Sequence, residues 1–201
     1  MPDDTVLTFD NQLNAQFDWA DDWRVSIDLR CSDAVVRAYP NLNKQVLDIL
    51  MMLWPRLNAM MFEALEPMDS LLSALDPSQH LHFSFYLVDN PQIQALNAQH
   101  RGQDKPTDVL TFNLFDPATD NLPPPSPDLA LGDIMLSLDY ALDATDHDPA
   151  NPVSSTSDLI RYLVERVCHG YLHLFGVHHD SDEAFRQVVA IQNRVLSALF
   201  A

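Results

Sequence analysis

The sequence predicts an α+β fold with α/β character: a single domain in which a small mixed four-stranded sheet is packed by helices. Three observations predict it. Short stretches with apolar residues at every second position alternate along the chain with longer ones whose apolar residues recur every three or four. Proline- and aspartate-rich stretches at 116–128 and 143–157 separate these elements as irregular loops. The 201 residues are enough for one well-buried core. We therefore read 1–201 as one domain, with a helix and loop near the C-terminus carrying its chemistry.

The elements follow in order. Residues 1–22 are polar and rich in aspartate, and read as a polar N-terminal segment. RVSIDLRCS (24–32) alternates apolar and polar residues, the mark of a strand with one buried face. Residues 41–75 are a helical region of leucine, methionine and alanine, which Pro55 and Pro67 are expected to divide into two or three helices. HLHFSFYLVD (80–89) is a second strand, and IQALNAQHR (93–101) a short helix opened by Asn90-Pro91. TDVLTFNLF (107–115), β-branched and aromatic, is a third strand. LALGDIMLSLDYAL (129–142) is a fourth, turning helical at its end. A helix from Asp158, capped by Ser157 or Asp158, stops at Gly176, and residues 183–200 form an amphipathic C-terminal helix.

Charge and composition narrow the function. The net charge of -18 argues against indiscriminate adhesion to nucleic acid or anionic membranes, but leaves room for a local positive site. The longest apolar stretch, VLDILMMLW, is too short to span a bilayer, and the acidic start MPDDTVLTF has no signal pattern. The expectation is a soluble cytoplasmic protein without a membrane partner. Cys31 and Cys168 read as reduced, and Cys168 as a small buried thiol.

The segment CHGYLHLFGVHHD (168–180) holds four of the eight histidines. His169 and His173 are four apart on a helix, so both rings project from one face. Gly176 then permits a reversal that returns His178 or His179 to the same point. Three imidazoles with a fourth position open are the ligand set of a catalytic zinc ion. Nickel or copper would also accept these ligands. His169, His173, Gly176 and His179 fit the zinc-protease pattern H-E-x-x-H-x-x-G-x-x-H, but Gly170 replaces the glutamate that acts there as general base, which disfavours a peptidase.

HGYLHLFGVHH resembles the H-G-x-L-H-L-x-G-x-D-H signature of the YbeY endoribonucleases, bacterial rRNA maturation factors. LNAQHRGQDKPTDVLTF (96–112), LGDIMLS (131–137) and FYLVDN (85–90) are similar to further family segments in order and spacing. The resemblance implies one zinc ion held by His169, His173 and His179, and a functional arginine at Arg101. It implies cleavage of single-stranded RNA in 16S rRNA 3′-end maturation and ribosome quality control, with the ribosome and a ribosomal protein or assembly factor as partners. The family's aspartate before the last ligand is His178 here, which adds a competing nitrogen. Other readings are a zinc-stabilised ribosome-assembly protein with little catalysis, or a metallohydrolase of peptides or small molecules.

Arg101 is expected to neutralise phosphoryl oxygens, the structural alternative being a pair with Asp104, Asp108 or Asp133. Lys44, Arg56, Arg101 and Lys105 are the candidate cations for a local RNA-binding patch. Asp133, in an apolar strand, is expected to hydrogen-bond a ligand imidazole, or else to pair with an arginine.

Overall fold

The computed structural model of the chain describes residues 9–19, 23–68, 70–119, 121–143 and 153–201. Its centre is a mixed sheet of strands β1 (Phe9–Trp19), β2 (Trp23–Ser32), β3 (His80–Val88), β4 (Val109–Asn113) and β5 (Asp128–Ser137), in the order β1-β2-β3-β5-β4. The β2–β3 and β3–β5 pairings are parallel, and the two outer pairings are antiparallel. The α+β class with a mixed sheet is as the sequence predicts, and the four expected strands are present. The fifth, β1, lies within the stretch read as a polar N-terminal segment.

Alternation assigns the two faces of the sheet. Val25, Ile27 and Leu29 of β2, and Leu81, Phe83, Phe85 and Leu87 of β3, are buried on one face. Ser26, Asp28 and Arg30, with His80, His82, Ser84 and Tyr86, project from the other, partly exposed. In β5 the register slips between its partners Ala130 and Gly132, a bulge at Leu131. The extra residue reverses the alternation, so Leu129, Leu131, Ile134 and Leu136 are all buried while Asp133 is not.

Helices α2 (Leu42–Leu65) and α5 (Thr156–Leu174) join the buried face in one apolar cluster. Pro55 does not divide α2, which runs for 24 residues through it and ends ahead of Pro67. An internal proline costs about 3 kcal/mol. Burial of Trp54, Leu57, Met61, Phe62 and Leu65 on either side of it is worth more, at about 1.5–3 kcal/mol per large apolar side chain. Tyr171 of α5 donates its hydroxyl to Asn58 of α2 at 2.6 Å, which satisfies a polar group in that core. Among the described residues no helix is long and apolar enough to cross a membrane.

Helix α1 (Asp33–Ala38) follows β2, and α4 (Leu138–Leu142) follows β5, where the sequence predicts a helical turn. Helix α3 (Asn90–Arg101) begins earlier than expected, because Asp89 and Gln92 form a reciprocal capping box. Helix α5 also begins early, capped by Ser155 rather than by Ser157 or Asp158. Helix α6 (Asp182–Leu199) is capped by Ser181. Among its described residues the proline-rich stretch holds a short 3-10 turn at Pro117–Thr119 and an isolated bridge between Asp116 and Asn121.

Candidate metal centre

The last turns of α5 carry His169 and His173 on the face turned toward β4, and the Nε2 atoms of the two rings lie 3.0 Å apart. Helix α5 stops where expected. Gly176 adopts a φ of 75° and donates to the His173 carbonyl, while Val177 donates to that of Leu172. These two bonds are a Schellman termination, which reverses the chain. A Cβ on Gly176 would lie 2.6 Å from Pro117, so the proline-rich loop braces the turn from outside.

The reversal separates His178 from His179. His179 Nε2 comes to 3.3 Å from His169 Nε2, and the three rings of His169, His173 and His179 form one cluster of potential ligand atoms. His178 stacks against the His173 ring at 5.6 Å and aims its Nε2 at the Asp116 carboxylate, 3.4 Å away. The nitrogen that could compete for an ion is thus directed at a carboxylate on the bracing loop.

The donor chemistry fits a transition-metal ion. Burial, then the neighbouring His169, His179 and His178 rings, push the His173 imidazole down to about 4. His169 is lowered by burial and by His179, against a raising effect of Asp108. Both rings are therefore neutral at pH 7, the form a metal needs. The pH dependence has a definite sign. The unfolded chain protonates these rings below about 6.5, whereas the folded chain does so on His173 only near about 4. Metal-free protein is expected to lose thermal stability as pH falls from 7 to 4.5, and a Tm series in EDTA checks it. A flat series, or one identical in His173→Asn, would contradict the linkage.

Cys168 is fully buried, and burial raises its thiol well above the ordinary range. It lies outside the histidine cluster, as does Cys31, and both are free thiols.

The histidines open into a cleft of about 890 Å³, walled by edge strand β4, the end of α3, α5 and the start of α6. Arg101 lines it. The three carboxylates weighed as its structural partners are engaged elsewhere. Asp108 accepts from Arg166, Asp104 from Gln94, and Asp133 lies beside Ser84 and Arg30. Lys44 lies apart, in a depression with Gln45 and Asp48, so the four expected cations do not form one patch.

The expectation for Asp133 is corrected. Its carboxylate faces the open side of the sheet, in a separate cavity with Ser26, Asp28, His82 and Ser84, and not the ligand imidazoles. Burial raises its pKa, with the Ser84 hydrogen bond and Arg30 opposing. The group beside the imidazoles is instead Asp108, held by Arg166. Arg166 also contacts Glu165 at 3.0 Å and lies 4.5 Å over the Tyr162 ring. Burial works against its charge, but Tyr162, Asp108 and Glu165 raise its pKa. Sequence reasoning missed Arg166, although it lies three residues before His169 and so on the same helical face. It also missed Phe185, half exposed in the cleft with its ring 5.7 Å from that of His179.

Gly170 gains a physical reason. A Cβ there would come within 2.9 Å of Ile134 and of Thr111, so α5 lies directly against β5 and β4 at the residue after the first histidine.

Residues 57–200 match the family model described as Endoribonuclease YbeY. A Rhodospirillum rubrum protein named Endoribonuclease YbeY is 35% identical over 124 residues, which are 62% of this chain and 58% of that protein. A Sinorhizobium medicae protein of the same name is 36% identical over 58% of this chain and 62% of its own length. The chain thus spans less than two thirds of these two relatives. One from Paramagnetospirillum magneticum is 33% identical, with 64% of this chain matching 74% of it. A solution structure from Thermotoga maritima is 26% identical over 71% of this chain and 83% of its own, with a TM-score of 0.38. The matched stretch includes α3, β4, the histidine helix and its reversal, and covers well over half of the sequence: the chain belongs to the YbeY endoribonuclease family.

Proposed function

We propose that this protein is a zinc-dependent endoribonuclease specific for single-stranded RNA, acting in the cytoplasm on the 3′ end of 16S rRNA and in ribosome quality control. In this reading residues 1–201 act as one domain. Its partners are RNA, the ribosome and a ribosomal protein or assembly factor. The observation that carries the reading is the convergence of three imidazoles in a cleft that also holds Arg101, in a chain of this family.

His169, His173 and His179 would hold the ion, and zinc suits three imidazole donors. The ion, when bound, supplies Lewis acidity toward a phosphodiester. Arg101 donates to the phosphoryl oxygens, for which a planar fork of N–H groups is well matched. Asp108, fixed by Arg166, holds the His169 side of the centre in a constant electrostatic setting. Phe185 offers an exposed ring on which an unpaired base can stack, which an RNA duplex cannot use.

The test is cleavage of a single-stranded RNA by zinc-loaded protein, with EDTA-treated protein and a duplex as controls. We expect EDTA to abolish cleavage and the duplex to resist it. Arg101→Ala is expected to cut about 10²-fold more slowly, with Tm and zinc content unchanged, the scale of losing one preorganised charge contact. Equal cleavage with and without EDTA would overturn the metal dependence, and unchanged cleavage in Arg101→Ala would remove that residue from the mechanism. RNA bound but not cut by loaded protein would favour the assembly-factor reading.

A further inference from the structure

We propose that His80, His82 and Asp128 form a second site for a divalent transition-metal ion, on the open face of the sheet and separate from the three-histidine cluster. The sequence H-L-H at the start of β3 places both imidazoles on one face, because side chains two apart on a strand point the same way. Asp128 begins β5 directly opposite His80 in the parallel register. Helix α3 covers the far end of this face through Tyr86, Leu110 and Phe112, and leaves the near end open.

The distances are those of a shared ion. His80 Nδ1 lies 3.3 Å and His82 Nε2 3.5 Å from the same oxygen, Asp128 Oδ1. Two ligands about 2.0–2.1 Å from a tetrahedral zinc ion lie about 3.3–3.4 Å from each other. An ordinary ion pair needs one imidazole. Here two turn their nitrogens to one carboxylate oxygen with ring centres 3.9 Å apart. All three candidate ligand atoms lie within 4.8 Å of one another.

A supporting contact fixes the ring. Ser26 Oγ of β2 lies 2.5 Å from His82 Nδ1. With Nδ1–H donating to that hydroxyl, the lone pair falls on Nε2, the atom turned toward Asp128. Two imidazoles and one carboxylate suit zinc, nickel, cobalt or copper, and exclude calcium or magnesium as the preferred ion. Three protein ligands leave a position open beside the cavity of about 270 Å³ that His82 shares with Asp28, Ser84 and Asp133.

The site would anchor the exit of the proline-rich loop. His80 N–H already donates to the Pro127 carbonyl at 2.7 Å, and Gln79 Nε2 to that of Ser126 at 2.7 Å. An ion between β3 and Asp128 adds a cross-link at the same point, stabilising the folded chain by mass action.

The test is metal content after dialysis against zinc, measured on the unaltered protein, His82→Ala, His173→Ala and the double variant. We expect two zinc ions per chain, one, one and none. The His82 and Asp128 side chains are 41% and 69% exposed, so His82→Ala, and Asp128→Asn as a second variant, leave the core intact. In the His173→Ala background, zinc is expected to raise Tm, and His82→Ala to remove that rise. Zinc content in His82→Ala and Asp128→Asn equal to the unaltered protein overturns the second site, as does complete loss of zinc in His173→Ala. Failure of the three-histidine site is distinguishable, since His173→Ala would then hold as much zinc as the unaltered protein.

Discussion

Replacing His169 with alanine is expected to lower zinc affinity at the three-histidine centre by about 10²-fold or more and RNA cleavage by at least about 10³-fold. His169 is the hub of the cluster, with its Nε2 3.0 Å from that of His173 and 3.3 Å from that of His179. Its loss leaves two nitrogens that cannot enclose an ion alone. A metal acting as Lewis acid is worth several kcal/mol in a transition state, and about 4 kcal/mol is 10³ in rate. His178→Ala is the control, because that ring stacks beside His173 with its Nε2 directed at Asp116 and offers no atom to the three-nitrogen cluster, and its zinc content and cleavage are expected to match the unaltered protein. Zinc titration and single-turnover cleavage check both variants. An unaffected His169→Ala, or a His178→Ala that loses its zinc, would refute the assignment of ligands.

Gly170→Glu carries the second large effect. The substitution rebuilds the H-E-x-x-H pattern of the zinc proteases in sequence, yet no peptidase activity is expected from it. The Cβ alone would meet Ile134 and Thr111 at 2.9 Å, and the carboxylate beyond it would be driven between α5 and the sheet. Overpacking costs about 1–3 kcal/mol and a buried unpaired charge several more. A fall in Tm of about 10 °C or more is expected, at about 2–4 °C per kcal/mol for a chain of this size. Gly170→Ala separates the two causes. A mid-helix glycine normally gains about 1 kcal/mol on becoming alanine, so the crowding is the net loss plus about 1 kcal/mol. A Gly170→Glu protein melting within about 2 °C of the original would show that the helix can move off the sheet.

The centre was more legible in the sequence than the surroundings that tune it. Spacing of four on a helix and a following glycine are local facts, so the convergence of His169, His173 and a ring beyond the turn could be read directly. Which of His178 and His179 turns inward depends on Asp116 and Pro117, about 60 residues earlier; the zinc-protease spacing and the family resemblance favoured His179, and the local order of residues alone did not decide. Asp133 illustrates the opposite limit. Counting by twos from Leu129 and Leu131 puts it on the buried face, and the bulge at Leu131 reverses that parity. Pro55 was read by its local cost, which the long-range packing of Trp54 and Phe62 against Phe83, Tyr171 and Phe175 outweighs. In β1, the apolar positions Leu13, Ala15, Phe17 and Trp19 do alternate with polar ones, but several of those polar residues are asparagine and aspartate, which strands disfavour, and the composition outweighed the alternation. The Asp108–Arg166 contact spans 58 residues and leaves no periodic trace.

The Schellman turn divides the three imidazoles between two mechanical regimes. His169 and His173 ride on a helix whose apolar side is welded into the protein interior, while His179 hangs from a short arm beyond Gly176. An ion held there would therefore need only the residues after Gly176 to move in order to leave, with α5 still folded. Occupancy of such a centre would then depend on the ordering entropy of a few residues after Gly176 more than on the global stability of the molecule.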